Sequence, residues 1–269
     1  MSFELTAPAV LDDTGLESLL EQAALRDRDR PTLILELGAV TEITVASMIG
    51  VILLGQALEQ GGQKMLLHTP LAPAPVRWLE ALRFFEPAAF CFTVYPPYRK
   101  GGPAAAIAPL LPLTVLGHAS DLTALLDRVE VQMGLPQRRR AVARPDLKPI
   151  LEGLSELLAL GLTQYGPTGL VGLAPTPAGI EIAAGFYRAA PAANTGLEAL
   201  LDRIRAGERL TAPRQWIRDR GGALQLWAGH ERLGLAAADE TVYQNGQALM
   251  PGSLFRWCLP AECPELEQC

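Results

Sequence analysis

The chain has 269 residues, 49% hydrophobic and 19% charged, with a formal charge of −6 and a sequence pI of about 5.2. That length supports one large or two medium domains with real cores, and the mildly acidic balance argues against a nucleic-acid surface as the main job. No apolar run approaches the ~20 residues of a membrane span, the first residues lack the basic and apolar regions of a signal peptide, and the four cysteines (Cys91, Cys258, Cys263, Cys269) have no CxxC spacing, so a cytoplasmic protein with reduced thiols is expected.

In chain order, residues 32–40 (TLILELGAV) read as a strand. An apolar helix follows, ending at Gly61-Gly62, then a short strand (QKMLLH), an amphipathic helix over 76–85 and another short strand (AFCFTV). The order is β-α-β-α-β. The loop before the first helix carries Ser47. A helix N-terminus offers free N–H groups and the positive end of the dipole, which would stabilise a phosphoserine. Ser is equally a standard helix N-cap, so both roles stand open. Residues 96–103 (PPYRKGGP) read as an inter-domain loop, and 104–112 as an extended connection or edge strand. The second block predicts helices over 119–134 and 146–165, short strands over 169–174 and 179–185, one or two helices within 193–218, a strand after Gly221-Gly222 and a last strand over 252–260.

The first block resembles the STAS domain, the fold of anti-sigma-factor antagonists. Ile49-Gly50-Val51-Ile52-Leu53 matches the family's helix opening, and Gly61-Gly62-Gln63-Lys64-Met65-Leu66-Leu67 its helix stop and next strand. On that alignment Ser47 takes the phosphoacceptor position, Val45 replaces the family's Asp, Ala46 its first Ser and Met48 its Gly. The resemblance implies a docking surface on the Ser47 loop and the following helix, made by Ser47, Met48, Gln56, Glu59 and Gln60.

The second block resembles the GHKL ATPase fold of anti-sigma serine kinases and histidine kinases. Glu156-Leu157-Leu158 fits the start of the family's first motif, Gly207-Glu208-Arg209-Leu210 before Gly221-Gly222 its third, and Pro251-Gly252-Ser253-Leu254-Phe255 its closing one. Leu160 stands where the Asn should be and Gln164 where His is common, while Ala184-Gly185-Phe186-Tyr187 supplies no Asp. Leu160 cannot ligate a hard cation, and neither Ala184 nor Gly185 can accept a hydrogen bond from adenine through a side chain. Each missing polar interaction with the nucleotide costs ~1–3 kcal/mol, against about 8 kcal/mol for micromolar binding, so a vestigial nucleotide site is implied. It would consist of Glu156, Leu160, Gln164, Gly185 and Gly207, with no cofactor and no metal.

Other chemistry is thin. His68, His118 and His230 show no ligand spacing, a nucleophile elbow is absent, and residues 138–140 form a short basic run. Trp216, Trp227 and Trp257 suit core packing or a pocket. The expected protein is α/β, an N-terminal STAS-like β-α sandwich plus a C-terminal GHKL-like α/β sandwich. Its parts are a first domain over 1–97, a linker over 98–118, a second domain over 119–262 and a tail over 263–269. The implied role is a non-enzymatic regulatory or scaffold protein of a bacterial partner-switching system. It would bind another signalling protein (a kinase, a phosphatase or a sigma/anti-sigma type) or a second copy of itself. The alternatives are a divergent ATP-binding serine kinase using Asn194 or Asp202, and a structural subunit of a larger complex.

Overall fold

A computed structural model describes residues 2–25, 32–97, 108–118, 120–138, 148–165, 168–187, 210–236, 240–244 and 250–260. The protein is mixed α/β. Strands β1 (Phe3–Thr6), β3 (Thr32–Glu36), β5 (Lys64–His68) and β6 (Phe92–Tyr95) form a parallel sheet in that order. Parallel neighbours need crossovers, and helices supply them: α1 (Asp13–Ala24), α2 (Val45–Gln60), then α3 (Pro73–Ala81) with the short α4 (Phe85–Ala88). A small parallel pair, β2 (Val10–Leu11) with β4 (Glu42–Ile43), sits before α1 and α2. The turn after α2 needs a positive φ, and Gly62 provides it at 77°.

The second sheet has seven antiparallel strands among the described residues. Their order is β12 (Glu240–Gln244), β11 (Glu231–Ala236), β10 (Ala223–Gly229), β13 (Met250–Pro260), β9 (Gly179–Phe186), β8 (Gly169–Thr176) and β7 (Leu111–Leu116). Helices α5 (Asp121–Arg138), α6 (Lys148–Tyr165) and α7 (Thr211–Arg220) share a core with one face, where Val171, Ile182, Phe186, Phe255 and Trp257 meet Leu154, Leu158 and Ile217. Strand β7 lies within 98–118, the stretch expected to be linker. It forms the edge of this sheet, and the Leu113 N–H donates to the Leu82 carbonyl at 2.9 Å.

Helix α2 joins the two halves. It is apolar on every side, and a helix of that kind must be buried on every side. It packs on the parallel sheet, with Leu33, Leu35, Met65 and Leu67 in the same core. Val45, Ile49 and Leu53, spaced four residues apart, meet the second sheet. There the floor is shaved down: a Cβ at Gly172 would press on Val45, and one at Gly185 would land on Ile49 and Leu53. Leu170, Ala183, Trp227 and Leu254 of the second sheet therefore belong to the same core as α2. Each fully buried aliphatic side chain contributes roughly 1.5–3 kcal/mol, so the stripe on the second sheet is a large part of what holds the halves together.

Gly185→Val puts branched methyls where Ile49 sits. The expected outcome is a loss of about 1–3 kcal/mol, seen as a lower urea midpoint at unchanged m-value. An unchanged midpoint would show that α2 does not rest on β9.

Candidate functional site: a buried ion cluster at the start of helix α2

The first turn of α2 is capped twice. Thr44 is the N-cap in extended geometry, and its Oγ1 accepts from the Ser47 N–H at 3.2 Å. The Thr44 and Ser47 hydroxyls lie 2.6 Å apart. The remaining amides of the turn, which have no acceptor within the helix, find a partner from the other half of the chain. Val45 and Ala46 donate their N–H groups to the carboxylate of Glu181 at 3.4 and 3.0 Å.

Glu181 stands on β9 with 2% of its surface exposed. Strand alternation sets its direction: Glu181, Ala183 and Gly185 face α2, while Ile182, Ala184 and Phe186 face the helices behind. On the neighbouring strand β13, the same rule aims Arg256 toward Glu181. Arg256 Nε is 3.2 Å from Glu181 Oε1. That N–H is off-line for a hydrogen bond, so this contact is electrostatic. Arg256 Nη1 donates to Asp13 Oδ2 at 2.6 Å, at the start of α1. One step further, Arg232 of β11 donates to Glu17 at 2.6 Å. Asp12 completes the α1 cap by accepting from the Gly15 N–H at 3.0 Å.

Burial pushes the Glu181 carboxyl above its ordinary value, and Arg256 with the two α2 amides pulls it back only in part. Asp13 is raised for the same reason, against the pull of Arg256 and Arg232. Beside the cluster, burial pushes the Cys258 thiol up to about 11, which leaves it a poor nucleophile. A cleft of about 640 Å³ opens on this cluster, with Glu181, Arg256 and Cys258 on its lining.

The expected docking surface is only partly available. Ser47 and Met48 are fully buried, so Ser47 is not an accessible phosphoacceptor in this fold, and the N-cap role belongs to Thr44. The physical reason lies in the residues around it. With Val45 and Ala46 in place of acidic and hydroxyl residues, the helix extends back through the loop and is covered by β8 and β9. Gln56 is half-buried, while Glu59 and Gln60 are exposed at the far end of α2, where Gln60 accepts from the Tyr187 hydroxyl at 2.7 Å.

The expected nucleotide-site residues do not converge among the described residues. Glu156 lies 3.4 Å from the Ala212 N–H through both carboxylate oxygens, beside the first turn of α7, whose own N-cap, Leu210, has no acceptor to give. Leu160 is buried in the core behind the second sheet. Gly185 is on the opposite face of that sheet, under α2. Gln164 falls in the last turn of α6, and Gly207, Asn194 and Asp202 lie outside the described residues. Trp216 and Trp257 belong to the second core and Trp227 to the first. His68 pairs with Glu36 at 2.6 Å on the open side of the parallel sheet. No helix among the described residues is long and apolar enough to cross a membrane.

Comparison with family models, with curated proteins and with solved structures finds no match to this chain.

The residues that matter here, Glu181 and Arg256, were not among the sequence candidates. Their signal is a charge in the middle of an apolar strand, in GIEIAAGF and SLFRWCLP. Arg256→Met leaves Asp13 and Glu181 buried without their cation and is expected to cost about 3–5 kcal/mol in chemical denaturation. Glu181 binds its proton more tightly folded than unfolded. Its ionised form therefore loses stability as pH rises from 4.5 through the raised value. The stability of the wild type relative to Glu181→Gln should fall as pH rises through that range. A relative stability that climbs with pH would contradict the assignment.

Proposed function

We propose that this chain is a non-enzymatic regulatory or scaffold protein of the partner-switching type, and that it acts by binding another bacterial signalling protein. In this reading a STAS-like half is held by its own GHKL-like half. The observation that carries the reading is the engagement of α2 inside the chain. Its N-terminal amides are taken by Glu181 and its Val45-Ile49-Leu53 stripe by the second sheet. In partner-switching systems the corresponding helix is the surface offered to a separate kinase, so a fused pair that satisfies it internally has replaced a transient contact with a built-in one. The scattering of Glu156, Leu160 and Gly185 over two faces of the second sheet favours binding over catalysis.

The surface left for a partner has two parts. One is the Glu59-Gln60 end of α2. The other is the outer face of the parallel sheet, where Glu4, Ile34, Leu66 and Thr93 line up in register across all four strands. Parallel sheets are normally covered on both faces, and here Ile34 and Leu66 are half-buried while Glu4 and Thr93 are exposed.

A photo-crosslinking residue at Glu59 or Leu66, introduced in the source cells, is expected to give one discrete protein adduct. Calorimetry of the purified chain with Mg-ATP is expected to show no saturable heat. Micromolar Mg-ATP binding would overturn the proposal in favour of a divergent kinase.

A further inference from the structure

We propose that the cleft between the two halves is a binding site for a small organic cation, an amine carried on an aromatic or branched aliphatic body. Three observations lead there. The first is size and shape. About 640 Å³ lies in a half-open cleft between the β2–β4 loops, the start of α3 and the β8–β9 turn, within the range of roughly 300–1,000 Å³ typical of small-molecule sites. The second is the wall, which is mostly apolar: Leu11, Ile43, Pro75, Trp78 and Pro175 face the space.

The third is the charge at the floor. Among the described residues, the pair Glu17–Arg232 and the set Asp13–Arg256–Glu181 lie behind the floor with three carboxylates and two guanidiniums, and of these Glu181 and Arg256 reach the lining. Glu181 lies on the cleft lining while 2% exposed, so its charge has little water to solvate it. Nearer the mouth, Asp12 and Glu42 outnumber Arg77. The positive ends of α1 and α2, capped by Asp12 and Glu181, offset part of this excess. An ammonium group entering the cleft completes the balance beside Glu181, and Trp78, also on the lining, supplies an aromatic surface for the cation or the ligand body. An anion of the same size would meet three carboxylates on the lining, Glu181, Asp12 and Glu42, against Arg77 and an Arg256 already held by Asp13 and Glu181. Amine binding needs the two halves packed as described but not the partner-binding role, so either can fail alone.

The test is titration of the full-length protein with phenethylamine and with phenylpropionate, followed by calorimetry and by the fluorescence of the tryptophans. The amine is expected to bind with one-to-one stoichiometry, at least about tenfold tighter than the acid, as a charge-assisted contact requires. Glu181→Gln should remove that preference. Ala178→Trp, at the exposed β8–β9 turn on the cleft wall, should abolish binding of both probes while leaving the far-ultraviolet circular dichroism unchanged. Three results would overturn the proposal: an acid that binds as well as the amine, an amine preference that survives Glu181→Gln, or binding that persists in a folded Ala178→Trp protein. Lack of saturation by the amine at about 10 mM would overturn it as well.

Discussion

One carboxylate, Glu181, sets the geometry on which the rest of the molecule depends. It sits under the first turn of α2, accepts two backbone N–H groups there, and stands 3.2 Å from Arg256 on the next strand. Buried ion pairs contribute little net stability, because desolvation cancels most of the Coulombic gain. Their value is in specificity. Helix α2 has no polar face to orient it, so apolar packing alone would tolerate rotation or sliding between the two sheets. A polar lock at its end selects one arrangement, because every slipped alternative leaves the carboxylate and the amides buried without partners. The small residues Gly172, Ala183 and Gly185 then let the helix settle close to the strands in that one position.

The same lock ties three elements that are far apart in the chain. Asp13 begins α1, Val45 begins α2, and Arg256 lies on β13 near the end of the described residues. Both helix starts converge on one guanidinium and one carboxylate, and the cleft opens where they meet. Anything that binds there touches the joint between the halves. Helix α2 lies between that joint and the parallel sheet, in contact with the sheet on one side and with β9 and β13 on the other.

Much of the architecture was legible in the residues. The β-α-β-α-β order of the first block, the stop at Gly61-Gly62, the helix over 146–165 and the strands around 169–185 all follow from apolar spacing and turn residues. They stand as β3, β5 and β6 with α2 and α3 between them, and as α6, β8 and β9. Helix α1 was not read, although Asp12 as a cap before Leu16, Leu19, Leu20 and Ala23 carries the pattern. Strands β11 and β12 escaped because Glu, Arg and Gly interrupt their apolar runs. The site was less legible. A family pattern pointed to Ser47 as an exposed loop residue, but the apolar Val45 and Ala46 before it belong to a buried helix turn. The stronger clue was thermodynamic. An apolar-all-round helix demands cover on both faces, and a lone Glu in GIEIAAGF demands a buried partner. Each supplied what the other lacked, across more than half the chain.

Amide hydrogen exchange of the first turn of α2 tests the Glu181 lock most directly. Val45 and Ala46 have no intrahelical acceptor, so only Glu181 and the covering sheet can slow their exchange. With the lock in place, these amides are predicted to exchange as slowly as those of Ala183 and Gly185 on β9, and to accelerate in Glu181→Ala while the amides of β5 do not. Rapid exchange at Val45 and Ala46 in the unaltered protein would mean that α2 is not locked to the second sheet.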